Sequence, residues 1–129
     1  MKNTILRKFL LIAVIGLFSQ FAVAQDASSA AAKQIADIVA TLNHFPSDAD
    51  KATLAAISGN TALAQGVRDM ADAVANIQHA ATAEGKSAMA ALAAADDTPE
   101  RGKVLAGIIA NINHTASADA KAQLAQLFP

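Results

Sequence analysis

The sequence predicts an all-α protein made of three helix-turn-helix repeats (αα-hairpins), each of about 35 residues, packed as a small helical stack or bundle. Two observations predict this fold. The histidines are evenly spaced, because 35 residues separate His44 from His79 and His79 from His114. The chain is also rich in alanine, the strongest helix former, and it contains no Trp or Tyr.

Residues 1–24 are predicted to be a signal peptide that is removed on export. Three basic residues near the start precede an apolar run from Phe9 to Phe18, and Ala22-Val23-Ala24 has the small-x-small pattern of a cleavage site. The apolar run is about half as long as the roughly 20 residues that a membrane-spanning helix needs. We therefore expect a periplasmic or secreted protein with no stable membrane insertion after cleavage.

Residues 25–129 are predicted to form a single domain, and their composition argues against several classes of partner. Seven basic residues remain there against 11 acidic ones, so the net charge is −4. Because nucleic acids and anionic membrane surfaces are bound by clustered Lys and Arg, we expect neither as a partner. The sequence has no cysteine, so disulfides and thiolate ligands make no contribution. Packing alone must stabilise the domain.

A long amphipathic helix is predicted before each histidine. Apolar residues there recur at positions i, i+3, i+4 and i+7, which places them on one face of a helix. The three stripes are Ile35, Ile38, Val39 and Leu42; Met70, Ala73, Val74 and Ile77; and Leu105, Ile108, Ile109 and Ile112. We expect these faces to form one shared core.

Each long helix is predicted to end just before its histidine. Asn43, Gln78 and Asn113 stand at these helix ends, where an asparagine tolerates left-handed backbone angles. The histidine that follows is expected to meet the last carbonyl groups of the helix, which carry partial negative charge.

A second, shorter helix is predicted to start three residues after each histidine. Ser47, Thr82 and Ser117 are the expected N-cap residues, and an acidic side chain follows each of them within three positions. The junction between the two helices of a hairpin is therefore a stop signal followed directly by a start signal.

Turn residues divide the domain into repeat units of roughly 26–59, 60–95 and 96–129. Gly59 is expected to end the first short helix. In the second connection, Thr98 is an expected cap residue and Pro99 stands at the first helical position. One hairpin is too small to bury its own apolar stripe, so the three units are expected to depend on one another.

The three histidines are the candidate ligand-binding residues, together with Asn43 and Asn113. In one hypothesis each imidazole caps helix carbonyls or bridges to the start of the next helix, and the even spacing reflects duplication. In the other, the histidines form a metal or polar-ligand site. Equivalent residues of a linear stack lie about 8–10 Å apart, whereas each ligand lies about 2 Å from its metal. Only a closed, near-threefold arrangement would bring His44, His79 and His114 onto one ion.

No pattern in the sequence predicts catalysis, because a phosphate-binding loop, a nucleophile elbow, a zinc-protease helix and cysteine are all missing. We therefore expect no enzyme and no cofactor, but a binding or interaction module for a protein or small ligand of the cell envelope. The alternative is a periplasmic metal-binding or metal-buffering protein that uses His44, His79 and His114. Distances separate the two hypotheses, since a metal protein should place two or more imidazoles within about 5 Å of one another.

Overall fold

A computed structural model of the 129-residue chain describes residues 25–129, and the predicted signal peptide, residues 1–24, lies outside the described residues. Helix α1 runs through residues 25–41. The five helices that follow are α2 (Asp48–Ser58), α3 (Gln65–Ala75), α4 (Ala83–Ala94), α5 (Glu100–Ala110) and α6 (Ala118–Leu127). No strand occurs in this range, so the all-α prediction is confirmed. The expected alternation of long and short helices is wrong for α2 to α6, which all have 10–12 residues.

Helices α2, α4 and α6 begin where the sequence predicts. The hydroxyl oxygens of the three N-cap residues accept hydrogen bonds from backbone N–H groups three positions on: Ser47 from Asp50 (3.1 Å), Thr82 from Gly85 (3.0 Å) and Ser117 from Ala120 (3.1 Å). Each such cap contributes about 1 kcal/mol. Gly59 ends α2 as expected, whereas α5 begins at Glu100 with Pro99 as its N-cap, one residue later than predicted.

The apolar stripes of α1, α3 and α5 form one core. Eleven of the 12 stripe residues are buried in a single cluster, and Ile108 is partly buried against it. Each second helix adds one large side chain at an equivalent position, which is Leu54 in α2, Met89 in α4 and Leu124 in α6. The expectation of a shared core is therefore confirmed.

Alanine allows the central helices to approach one another. Ala36, Ala71 and Ala106 occupy the same position in the three repeats and are almost completely buried. Interhelical distance depends on the side chains at the contact, so a methyl group there permits close packing. Helices α3 and α5 are in direct contact, although 24 residues of chain, including α4, connect them.

Contacts of α1 reach both of the later repeats. The Ser28 hydroxyl accepts a hydrogen bond from the N–H of Ala64, just before α3 (3.0 Å), and the Arg101 guanidinium of α5 donates to the Ser29 hydroxyl (2.7 Å). None of the helices in the described range is long and apolar enough to cross a membrane.

The core predicts a large difference between a buried and an exposed substitution. Ile109→Ala removes a side chain with no solvent exposure, so it should lower the free energy of unfolding by about 2–5 kcal/mol. Lys51→Ala, at an exposed position of α2, should change it by less than about 0.5 kcal/mol. Urea denaturation of both variants measures the difference. Similar midpoints would contradict this description of the core.

Candidate metal centre

The three histidines meet at one end of the helical bundle. Their ring centroids are 5.1 Å apart for His44 and His79, and 5.0 Å apart for each of the other two pairs. One ring nitrogen of each histidine, either Nδ1 or Nε2, lies within 4.8 Å of one ring nitrogen of each of the other two. The rings meet edge to face, so three imidazoles share one small volume.

A closed ring of backbone hydrogen bonds holds the three histidines together. The N–H of His44 donates to the carbonyl of His114, the N–H of His79 to the carbonyl of His44, and the N–H of His114 to the carbonyl of His79. All three donor–acceptor distances are 2.6 Å, slightly below the range of roughly 2.7–3.2 Å that is usual for such bonds. Each histidine thus donates its N–H to one of the other two and accepts at its carbonyl from the remaining one. The three equal bonds space the three residues evenly.

The histidines themselves adopt the left-handed conformation that the sequence predicted for the neighbouring asparagines. Their φ angles are 70° at His44, 67° at His79 and 68° at His114. Among the described residues, no other non-glycine residue has a positive φ. Left-handed angles cost an L-residue roughly 1–2 kcal/mol, and glycine or asparagine enters that region more readily. The assignment of this conformation to Asn43 and Asn113 is therefore wrong, because the hydrogen-bonded ring imposes it one residue later.

Tight turns accompany two of these positions. The N–H of Phe45 donates to the carbonyl of Asn43, and the N–H of Thr115 to the carbonyl of Asn113, both at 2.8 Å. A hydrogen bond between residues two apart closes a tight turn around the central histidine, whose φ is positive. Backbone strain is thus concentrated at the histidines.

Other side chains, and not the imidazoles, meet the helix ends. The Asn76 amide donates to the carbonyl of Asp72 (2.9 Å) and the Asn111 amide to the carbonyl of Gly107 (2.8 Å). Thr41, the equivalent residue of α1, donates through its hydroxyl in the same way. Within the described residues, no hydrogen bond joins an imidazole to a helix carbonyl, and the hydrogen bonds of the His44 and His114 rings go to Asn43 and Asn113. Asn76 and Asn111, three residues before His79 and His114, were the repeated feature of the sequence that could have indicated these caps.

Asn43 and Asn113 orient two of the three imidazoles. The Asn43 Oδ1 atom lies 2.6 Å from Nδ1 of His44, and the Asn113 Oδ1 atom lies 2.7 Å from Nδ1 of His114. Because an amide oxygen only accepts, Nδ1 carries the proton in each neutral ring, and Nε2 keeps a free lone pair. Gln78 precedes His79, and no equivalent hydrogen bond joins that pair among the described residues.

The cluster is open to solvent and has no carboxylate. His44 is partly buried, whereas His79 and His114 are exposed. The group of potential metal ligands in the described part of the chain consists of these three side chains alone. Three neutral nitrogen donors at a surface can bind a metal ion and leave part of its coordination sphere free.

No protein-family model, curated protein or solved structure gives a significant match to the chain.

From the ring of backbone hydrogen bonds we predict how substitutions of a histidine change the free energy of unfolding. His79→Asn keeps a residue that accepts positive φ, so it should lower the free energy of unfolding by less than about 1 kcal/mol. His79→Val places a β-branched residue in the same conformation and should lower it by about 2 kcal/mol or more. Urea denaturation without added metal compares them. Equal losses would mean that the imidazole, and not the backbone angle, stabilises the junction.

Proposed function

We propose that the protein binds one divalent metal ion through His44, His79 and His114. The observation that carries this proposal is the mutual approach of three imidazoles, with ring centroids 5.0–5.1 Å apart. A metal protein is expected to place its imidazoles within about 5 Å of one another, whereas an interaction module is not. The observed distances therefore favour the metal protein. The interaction module, which the sequence alone favoured, stays a prediction.

The spacing of the ring nitrogens supports binding of a tetrahedral metal. Imidazole nitrogens lie about 2.0–2.1 Å from Zn²⁺, so two ligands of one ion are about 3.3 Å apart. The nitrogens here lie within 4.8 Å of one another. Closing the difference requires the nitrogens to approach by about 1.5 Å or less, which is within the reach of rotations about the side-chain bonds. Exposure of His79 and His114 leaves those rotations free.

Backbone strain also supports a role for the side chain. Strained non-glycine residues cluster at functional sites, where another property of the residue is needed. Residues next to the histidines differ among the repeats, with Phe45, Ala80 and Thr115 at one equivalent position. The left-handed position is nevertheless His in all three, although Asn or Gly would satisfy the backbone. This combination favours a function for the imidazole over simple inheritance from duplication.

We propose Zn²⁺ as the metal. Imidazole suits Zn²⁺, Cu²⁺ and Ni²⁺, but the two latter ions favour square-planar or tetragonal sites. Three donors spaced evenly by the backbone ring form a tripod, which matches a tetrahedron. The absence of cysteine fits an oxidising compartment, where thiolate ligands would be lost to disulfides. This proposal gives the chain a metal where the sequence alone predicted no cofactor.

We further propose that the hairpins 26–59, 60–95 and 96–129 surround a pseudo-threefold axis that passes through the histidines. The even spacing of 35 residues, the equivalent N-caps and the three equal backbone hydrogen bonds support this arrangement. The apolar segment before Ala24 supports export with cleavage, which would place the protein in the periplasm or outside the cell. Metal binding or buffering, and not catalysis, is the activity proposed there.

Zn²⁺ should stabilise the fold through the histidines. At free Zn²⁺ about 100-fold above the dissociation constant, the free energy of unfolding should rise by about 2.7 kcal/mol. The rise should be smaller at pH 5.5 than at pH 7.5, because protons compete with the metal for imidazole nitrogen. Thermal midpoints with and without Zn²⁺ measure both effects. Substituting His44→Asn, His79→Asn and His114→Asn together should abolish the Zn²⁺ response, whereas Lys51→Ala should retain it. If Zn²⁺ raised the thermal midpoint of the triple variant as much as that of the unsubstituted protein, the proposal would be wrong.

Asn43 and Asn113 should strengthen metal binding without touching the ion. Partners that orient a ligating imidazole typically raise metal affinity 10–100-fold. Asn43→Leu and Asn113→Leu, which keep the size and remove the acceptor, should each weaken Zn²⁺ affinity by about that factor, and Asn43→Asp should restore it. Gln78→Asn should tighten binding by giving His79 the same partner, while Gln78→Leu should have little effect. Calorimetric titration measures these affinities, and unchanged binding in both Leu variants at 43 and 113 would refute the role.

A further inference from the structure

The histidine tripod leaves a coordination position that the described chain does not fill. Zn²⁺ takes at least four ligands, and sites with three protein ligands bind water or substrate in the fourth position. The ligand cluster contains three histidines and no carboxylate. None of the His, Cys, Asp and Glu side chains in residues 25–129 supplies the fourth ligand, which leaves this position to solvent or to another molecule.

Charge favours an anion in that position. A ligating imidazole is neutral, so three of them leave the double positive charge of the ion uncompensated. The side chains that support the tripod, Asn43 and Asn113, are neutral as well. A negatively charged fourth ligand therefore gains more electrostatic energy than a neutral one of equal size. Metal-bound water responds in the same sense, by losing a proton near neutral pH.

Access to the position is open on at least two sides. His79 and His114 are exposed, and their following residues, Ala80 and Thr115, are small. Phe45 is the one large residue at the equivalent position, and it is 57% exposed, so it extends into solvent. A ligand of a few atoms can reach the tripod without displacing any part of the bundle.

We infer that the metal centre binds small monodentate anions, such as azide, cyanate or a carboxylate, which replace a solvent ligand in the fourth position. This inference rests on the proposed function. It makes the centre a site of ligand exchange and not a closed structural metal site. The shared chemistry of these ligands is one negative charge on a small donor atom.

The test replaces Zn²⁺ by Co²⁺, whose visible absorption reports the number and kind of its ligands. Titrating the Co²⁺ protein with azide in chloride-free buffer should change the spectrum in a saturable way, with one azide bound per cobalt. The Lys51→Ala variant should behave identically. The variant with all three His→Asn substitutions should develop neither the protein-bound cobalt spectrum nor an azide response.

The outcomes separate this inference from the proposed function. A bound Co²⁺ spectrum that azide leaves unchanged would overturn the inference alone, because the position would then be filled by a group of the protein. Metal-dependent dimers in analytical ultracentrifugation, together with an unchanged spectrum, would assign that group to a second copy and overturn it equally. Failure of Co²⁺ and Zn²⁺ to bind at all would overturn the function and the inference together.

Discussion

The closed ring of hydrogen bonds among the backbones of His44, His79 and His114 is the constraint on which the rest of the structure depends. Three chain segments, 35 residues apart, must reach the same point with the same geometry to form it. The ring sets the left-handed conformation of each histidine and the spacing of the imidazoles. It also brings the first and third segments into direct contact, since the N–H of His44 donates to the carbonyl of His114.

The residues on either side of the ring explain how six helices satisfy this constraint. Three residues before each histidine, the side chain of Thr41, Asn76 or Asn111 meets a carbonyl of the ending helix. Three residues after it, a Ser or Thr caps the next helix. Both helix ends therefore find their polar partners within a short, fixed junction. The imidazoles are not needed for capping, which leaves them available for a ligand.

Local features of this fold could be predicted from the sequence, whereas the meeting of the three histidines could not. The i, i+3, i+4, i+7 stripes and the caps at Ser47, Thr82 and Ser117 depend on neighbouring residues, and these predictions are confirmed. A repeat of 35 residues fits a linear stack and a closed bundle equally well, so spacing alone could not bring the histidines together. The conformational preference of asparagine led to the prediction of left-handed angles at Asn43 and Asn113. The hydrogen bonds between distant segments that impose these angles on the histidines are not visible in local sequence. The buried Ala36, Ala71 and Ala106 were the available sign of tight central packing.

Backbone strain is concentrated at the three histidines. Three left-handed histidines together cost several kcal/mol by the usual figure of roughly 1–2 kcal/mol each. That sum is a large part of the 5–15 kcal/mol by which domains are normally stable. The hydrogen-bonded ring offsets some of the strain, and a metal bound only by the folded state would offset more. The junctions should then be the least stable part of the metal-free protein and gain most from the metal. In the proposed function, a metal ion bound by the three imidazoles would offset this strain while the apolar core stays as it is.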